Sequence, residues 1–308
     1  MHIAVMGTGA LGGYLAVRLA AAGNRVTCLA RGRQLRALRR SGLRLESPLG
    51  DVAVDPIGAE EDPRAVGAVD AVLFVVKLGD AHGAARALAP LLGAETPVVT
   101  FQNGIDAPDI VAAEIGAGRV LAGAANVAGA ERPRPGVVRH LGRYARFVFG
   151  ERDGRRTPRA RRLRDAFAAA GMETHLSDDI VAELWAKFVL LAAASGVIAA
   201  ARSPLGVVRE DPELRASLRN AMLETAAVAA ASDIALEPSL VDDHMALLDG
   251  FPAGQKSSML QDLEAGRKLE LDWLSGTVCR LGRRHGVPTP VHDTLLAVLR
   301  PFAHGAGA

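Results

Sequence analysis

The chain has 308 residues, 49% of them hydrophobic and 23% charged, with 33 glycines and 16 prolines. That balance excludes collagen-like, coiled-coil and wholly disordered chains, and the length suggests about two domains. A formal net charge of only +2 gives no global field to draw nucleic acid or an anionic membrane. The two cysteines, Cys28 and Cys279, form no CxxC pattern, so neither a disulfide scaffold nor a metal site is expected. No basic leader precedes Ile3-Ala4-Val5, and the longest uncharged apolar stretch, Phe188 to Ala201, falls short of the roughly 20 residues of a membrane span. It reads as a buried helix, and the expected location is the cytoplasm. Arginine is used 32 times and lysine only at Lys77, Lys187, Lys256 and Lys268. A site that keeps lysine has use for a compact ammonium whose proton can leave.

In chain order, His2 to Met6 reads as a strand, followed by Gly7-Thr8-Gly9-Ala10-Leu11-Gly12-Gly13, a helix from Tyr14 to Ala22 and a strand from Arg25 to Ala30. Further strands are expected at Ala71–Val76 and Val98–Phe101, with helices near Ala81–Leu92 and Pro108–Glu114. Alternating β and α segments predict an α/β fold with a doubly wound parallel sheet. Val120–Val127, Val137–His140 and Arg146–Phe149 are expected to extend that sheet, followed by a helix at Pro158–Ala170 and a last strand at Glu173–Leu176. From Asp178 the β pattern ends. Helices are predicted at about 179–201, 212–232, 239–249, 258–265, 270–285 and 291–300. The domains are therefore expected to be 1–177, an α/β nucleotide domain, and 178–308, an all-α domain. The basic run Arg155–Arg164 lacks aromatic residues to stack bases and reads as a solvated helix face.

Gly7-Thr8-Gly9-Ala10-Leu11-Gly12 fits GxGxxG after a strand and at the start of a helix. The first glycine permits the tight turn, the second admits a pyrophosphate to the backbone, and the third lets helix and strand approach. The second strand ends in Leu29-Ala30-Arg31-Gly32-Arg33 with no carboxylate. A guanidinium there suits a 2′-phosphate, so NADPH is expected, with Arg31 the better placed of the two arginines. Lys77 and Asn103-Gly104 close the next two strands, where open α/β sheets bind ligands, although an Asn-Gly pair also makes an ordinary turn.

GxGALG, Lys77, Gln102-Asn103-Gly104, Glu183-Leu184-Trp185-Ala186-Lys187, Ser257-Ser258-Met259-Leu260-Gln261-Asp262 and Glu270-Leu271-Asp272 follow one another in order. In these motifs, over nearly its whole length, the chain resembles the ketopantoate reductase (2-dehydropantoate 2-reductase) family. The resemblance implies an N-terminal Rossmann domain, a helical C-terminal domain with the active site in the cleft, and NADPH-dependent reduction of ketopantoate to pantoate on the route to pantothenate. It makes Lys187 the general acid and Glu270 the carboxylate near substrate and cofactor. It places Ser258 on the substrate carboxylate, Asn103 against both ligands, Arg31 and Lys77 at the 2′-phosphate end, and Gly129 where backbone meets the ligands.

The chemistry agrees with those residue types. Reduction of a 2-oxo acid builds charge on oxygen, which a lysine ammonium stabilises and protonates. Lys187 lies among Leu184, Trp185, Phe188 and Leu191, so burial should lower its pKa; the bland alternative is an i,i+4 pair with Glu183. Ser258-Met259-Leu260-Gln261 also fits a capping box, which would make Ser258 a helix start, itself a ready carboxylate site. On one straight helix Ser258 and Glu270 would stand about 18 Å apart, so two helices with a reversal near Gly266–Lys268 are expected. Glu270 alternatively starts a helix as an exposed acid.

The chain departs from the family pattern at Leu191, Ser195 and Leu205, where asparagines are usual. Residues 187, 191 and 195 share a helix face and should line one wall of the substrate site. The expected result is a drier wall that grips a substrate hydroxyl less well. Three readings follow: a ketopantoate reductase, a relative acting on a more apolar 2-oxo acid or on an imine, and an NADP(H)-binding protein that has lost catalysis. The expected partner is a small 2-oxo acid, with no nucleic acid and no membrane. Apolar helices such as 212–232 could support a homodimer or pack only within the domain.

Overall fold

The computed structural model describes residues 1–127 and 129–305. Their backbone contacts divide into two units. The first comprises Met1–Gln102 and Asp106–Ile180, the second Asn103–Ile105 and Val181–Ala308.

The first unit begins with β1 (His2–Met6), α1 (Ala10–Ala21), β2 (Arg25–Leu29), α2 (Gly32–Ser41), β3 (Leu43–Glu46), β4 (Val52–Val54) and β5 (Gly58–Glu60). It continues through β6 (Ala71–Phe74), α3 (Ala81–Arg86), β7 (Val98–Thr100), α4 (Ala107–Ile115) and β8 (Val120–Val127). It closes with β9 (Ala130–Arg134), β10 (Val137–His140), β11 (Ala145–Gly150), α5 (Pro158–Ala169) and β12 (Glu173–Leu176). Among the described residues the main sheet has eight strands in the order β12-β11-β8-β7-β6-β1-β2-β5. Its pairings are parallel except β8 with β11, so the expected parallel sheet is mixed at that junction. The register aligns Leu29, Met6, Phe74 and Thr100 in one row near the carboxyl ends of β2, β1, β6 and β7.

Val137–His140 does not extend this sheet as expected. It forms β10 of a second sheet, β4-β3-β10-β9, pairing parallel to β3 and antiparallel to β9. The reason lies in α1. Gly12, Gly13, Tyr14, Leu15, Ala16, Val17 and Leu19 are all buried, too many for one face of a helix. The helix packs on the main sheet and, from the other side, on the small one. A Cβ on Gly13 would stand 2.5 Å from a Val138 methyl, so glycine there permits the close approach.

The second unit contains α6 (Ile180–Ala200), whose first residue belongs to the first unit, α7 (Leu205–Glu210), α8 (Pro212–Ala231) and α9 (Leu240–Asp249). It ends with α10 (Ser258–Glu264), α11 (Ser275–His285) and α12 (Pro290–Leu299). Helix α6 is long and apolar enough to cross a membrane by length and composition alone. Here Phe188, Val189, Ala192, Ala193 and Val197 of α6 are buried in the apolar core of the unit. The helix expected over 270–285 is broken. Leu271–Trp273 forms a 3₁₀ turn and Leu274 (φ −110°, ψ −97°) leaves helical space before α11. The segment 81–92 likewise splits into α3 and a 3₁₀ turn at Ala89–Leu91, which contains Pro90.

A polar cluster lies inside this helical core. Glu224 accepts from the first amides of α12, Val291 N–H at 2.8 Å and His292 N–H at 3.0 Å. The His292 ring donates Nε2–H to the Ala221 carbonyl (3.0 Å), and its Nδ1 then accepts from the Ser275 hydroxyl (3.3 Å). Burial pushes the His292 pKa down to about 4. A neutral folded ring against an unfolded value near 6.5 means that the unfolded chain binds the extra proton. His292 therefore costs stability as pH falls from about 6.5 towards 4, on the order of 3 kcal/mol over that window. Urea melts across this range should show a steeper loss for wild type than for His292→Asn, the difference cancelling other groups. Parallel slopes would rule the effect out.

Candidate active site

The sequence-predicted residues fall into two groups, one in each unit. In the first unit, Gly7 has φ +104°, and a Cβ there would stand 2.8 Å from Val76 N. A Cβ on Gly12 would stand 2.0 Å from the Gly7 carbonyl oxygen and 2.8 Å from a Val75 methyl. The first and third glycines are thus required by the turn and by the packing of helix on strand. Gly9 differs, since a Cβ there would meet nothing within 4 Å. It is the N-cap of α1 without a side-chain cap, and the first turn holds no acid. Amide donors and the positive end of α1 therefore face open space over Gly9. Ala10 and Leu11 form that first turn. The Thr8 side chain is buried and donates to the Leu29 carbonyl at 3.1 Å, tying the turn to the end of β2, so Thr8 has only its backbone to offer an anion.

Arg31 is the extended, exposed N-cap of α2. The neighbouring carboxylate, Glu60 on β5, is taken by Arg39 at 2.6 Å. The end of β2 therefore offers the exposed guanidiniums of Arg31 and Arg33. Lys77 is exposed at the start of a 3₁₀ turn after β6. Gly129 is exposed with φ +69°, and its carbonyl accepts from Leu141 N–H at 3.1 Å.

The second unit gathers Asn103, Lys187 and Glu270. Lys187 is half-buried on α6 and donates from Nζ to Asn103 Oδ1 at 3.4 Å. Burial lowers its ammonium pKa to about 8, while the negative charge of Glu270 acts in the opposite direction. Glu270 is half-buried at the N-cap of the Leu271–Trp273 turn. It precedes a single 3₁₀ turn and is not the exposed helix-start acid of the bland reading, and its charge acts on Lys187. One turn along α6, Leu191 is half-buried, and Ser195 a further turn on is fully buried. Leu205 is buried at the start of α7.

Ser258 does not cap its helix. Ser257 takes that position, its Oγ accepting from Leu260 N–H at 3.2 Å, and Ser258 is the exposed first residue of α10. The helix stops at Glu264, with Gly266 at φ +60°. His244 was not singled out in the sequence. Its Nε2–H donates at 2.8 Å to the Ala186 carbonyl, holding α9 to the turn that carries Lys187. A lone histidine on a helix gives no sequence signal of that contact.

A nucleotide-type glycine turn in one unit and a half-buried lysine with a facing carboxylate in the other define a two-domain oxidoreductase. Comparison with known proteins agrees. Residues 3–154 match the family model for ketopantoate reductase PanE/ApbA, and residues 179–303 match its C-terminal counterpart. The chain is 34% identical to a 2-dehydropantoate 2-reductase of Mesorhizobium japonicum, over 98% of each chain. It matches a PanE/ApbA family ketopantoate reductase from Ralstonia eutropha with TM-score 0.90 and 34% identity, over 98% of each chain. A 2-dehydropantoate 2-reductase from Geobacter metallireducens matches with TM-score 0.92 and 31% identity, over 98% of this chain and 99% of that one. The chain belongs to the ketopantoate reductase family.

Proposed function

We propose that this protein reduces a 2-oxo acid with NADPH, 2-dehydropantoate to pantoate being the reaction that its relatives' names and its own residues favour. The observation that carries the reading is the Asn103–Lys187–Glu270 group, a proton donor with its orienting acceptor and counter-charge. The open glycine turn fits the pyrophosphate of a dinucleotide, and Arg31 fits a 2′-phosphate. When bound, the cofactor supplies hydride to the carbonyl carbon.

The protein's own residues handle the rest. Lys187 stabilises the carbonyl oxygen as it gains charge and gives it a proton. Asn103 Oδ1 fixes the direction of Nζ, and Glu270 keeps the ammonium protonated near neutral pH against the cost of burial. With Ser257 doing the capping, the Ser258 hydroxyl is left for the substrate carboxylate. Leu191, half-buried one turn beyond Lys187, favours a second substrate, an apolar 2-oxo acid such as 2-oxoisovalerate. A wall without built-in partners for a hydroxyl discriminates weakly.

Consumption of NADPH by the purified protein with each acid tests both readings. The expected ratio of kcat/KM for ketopantoate over 2-oxoisovalerate is below about 10. A preference in the thousands would refute the apolar wall, and no turnover on either acid would refute the reductase reading. In the same assay, Arg31→Ala should raise KM for NADPH by about 10- to 100-fold and leave KM for NADH unchanged.

A further inference from the structure

The small net charge of the chain conceals an uneven distribution. From Arg31 to Arg44 run six arginines, Arg31, Arg33, Arg36, Arg39, Arg40 and Arg44, and no acid. With a formal net charge of +2 for the whole chain, the remaining residues are net negative. Arginines elsewhere meet carboxylates, as Arg156 meets Asp178, Arg215 meets Asp249 and Arg300 meets Asp272. Of the six, Arg39 alone has such a partner among the described residues, Glu60. The side chains of Arg33, Arg36, Arg40 and Arg44 are exposed and bond to none of the described residues. On the adjoining strands Glu46 and Glu131 are taken by Arg139, and Asp55, packed against Gly42, offsets one charge.

These guanidiniums form one strip on the first unit. Arg33, Arg36 and Arg40 recur at i, i+3 and i+7 along α2, a single stripe of the helix. The turn between β9 and β10 rests on the same helix. Gln34 Oε1 accepts from Gly136 N–H at 3.1 Å, and a Cβ on Gly136 would stand 3.4 Å from that of Ala37. Arg44 and Arg134 are both in register with Val137, on opposite sides of β10, so their side chains leave the small sheet on one face. Leu43 and Leu45 alternate with Arg44 and point into the core, which turns Arg44 to solvent. The strip starts where the dinucleotide reading puts the 2′-phosphate. Arg31 caps α2 one strand away from the glycine turn, and Arg36 and Arg40 follow about 8 and 14 Å further along the helix axis. They stand too far along the helix to share Arg31's ligand by contact, yet within reach of its field at low salt.

We propose, resting on the dinucleotide reading above, that this strip is an encounter surface for the cofactor. Arg36, Arg40, Arg44 and Arg134 draw the phosphates in towards Arg31 and do not hold them once bound. A field of this kind acts on the rate of association and grows with ligand charge. NADPH carries about two more negative charges than NADH, so the strip favours NADPH on arrival, in addition to what Arg31 does by contact.

The test combines Arg36→Gln, Arg40→Gln and Arg44→Gln in the full chain and leaves Arg31 and Arg33 in place. Stopped-flow fluorescence of NADPH gives kon and koff separately. At about 10 mM salt, where charges are felt over about 30 Å, kon should fall about 10-fold while koff stays within about twofold. At about 1 M salt, where that reach shrinks to about 3 Å, variant and wild type should associate at the same rate. NADH should lose less, about threefold. The variant should melt as wild type does, since it gives up only exposed, unbonded side chains. Arg31→Ala provides the contrast, because loss of a contact raises koff at both salt concentrations. An unchanged kon at low salt, a deficit that persists at 1 M salt, or a raised koff in the triple variant overturns the proposal, since the strip is then idle or acts by contact. If wild type binds NADPH at no salt concentration, the parent reading fails first and takes this one with it.

Discussion

Replacing Lys187 by alanine is expected to lower kcat on a 2-oxo acid by about 10²- to 10⁴-fold, the usual contribution of a positioned general acid. NADPH affinity should stay within about threefold, since the lost interaction belongs to the reacting oxygen. Lys187→Arg is expected not to restore turnover. It keeps the charge but holds its proton far above neutral pH. The pH profile provides an independent check. In the proposed reaction the lysine is the protonated donor, and burial has brought its pKa to about 8, so kcat should fall as pH rises through that value. Glu270 raises the pKa, so Glu270→Gln should move the descending limb to lower pH. A limb that stays in place in Glu270→Gln would show that another group controls the rate.

Gly12→Ala should be the most damaging single change in the first unit. The added carbon would stand 2.0 Å from the Gly7 carbonyl oxygen, which is backbone and cannot swing aside. The turn would have to open, with a cost of at least about 1–3 kcal/mol for overpacking and loss of the pyrophosphate cradle. Affinity for NADPH is expected to fall more than about 100-fold, together with the melting temperature. Gly9→Ala provides the contrast. Its φ of −80° suits any residue and its Cβ has open space, so the ligand-free protein should melt as wild type does. Only cofactor affinity should drop, because the new methyl would occupy the approach of the phosphates. Equal melting temperatures for the two variants would contradict this division of roles.

The parts of the molecule that show in the sequence are those governed by short-range rules. The glycine turn, the loss of β pattern near Asp178 and the apolar surroundings of Lys187 each follow from a few adjacent residues. The second sheet does not show. Val52–Val54 is three residues long, and Ala130–Arg134 is largely exposed and carries a proline, so neither presents an alternation that a period of two could detect. The need for that sheet is visible only in how completely α1 is buried. Ser257 and Ser258 look interchangeable as caps, and one backbone turn decides between them.

The excursion of Asn103–Ile105 into the second unit bears on how such a protein could have been assembled. Lys187 takes its acceptor from a residue encoded nearly 80 positions before the helical stretch begins, between two parts of the α/β unit. Ile105 from the same tripeptide packs on the helical core. A gene fusion that brought in residues 181–308 alone would have delivered the lysine without the amide that aims it. A chimera that exchanges the helical unit has to carry Asn103–Ile105 with it if this hydrogen bond is to be kept.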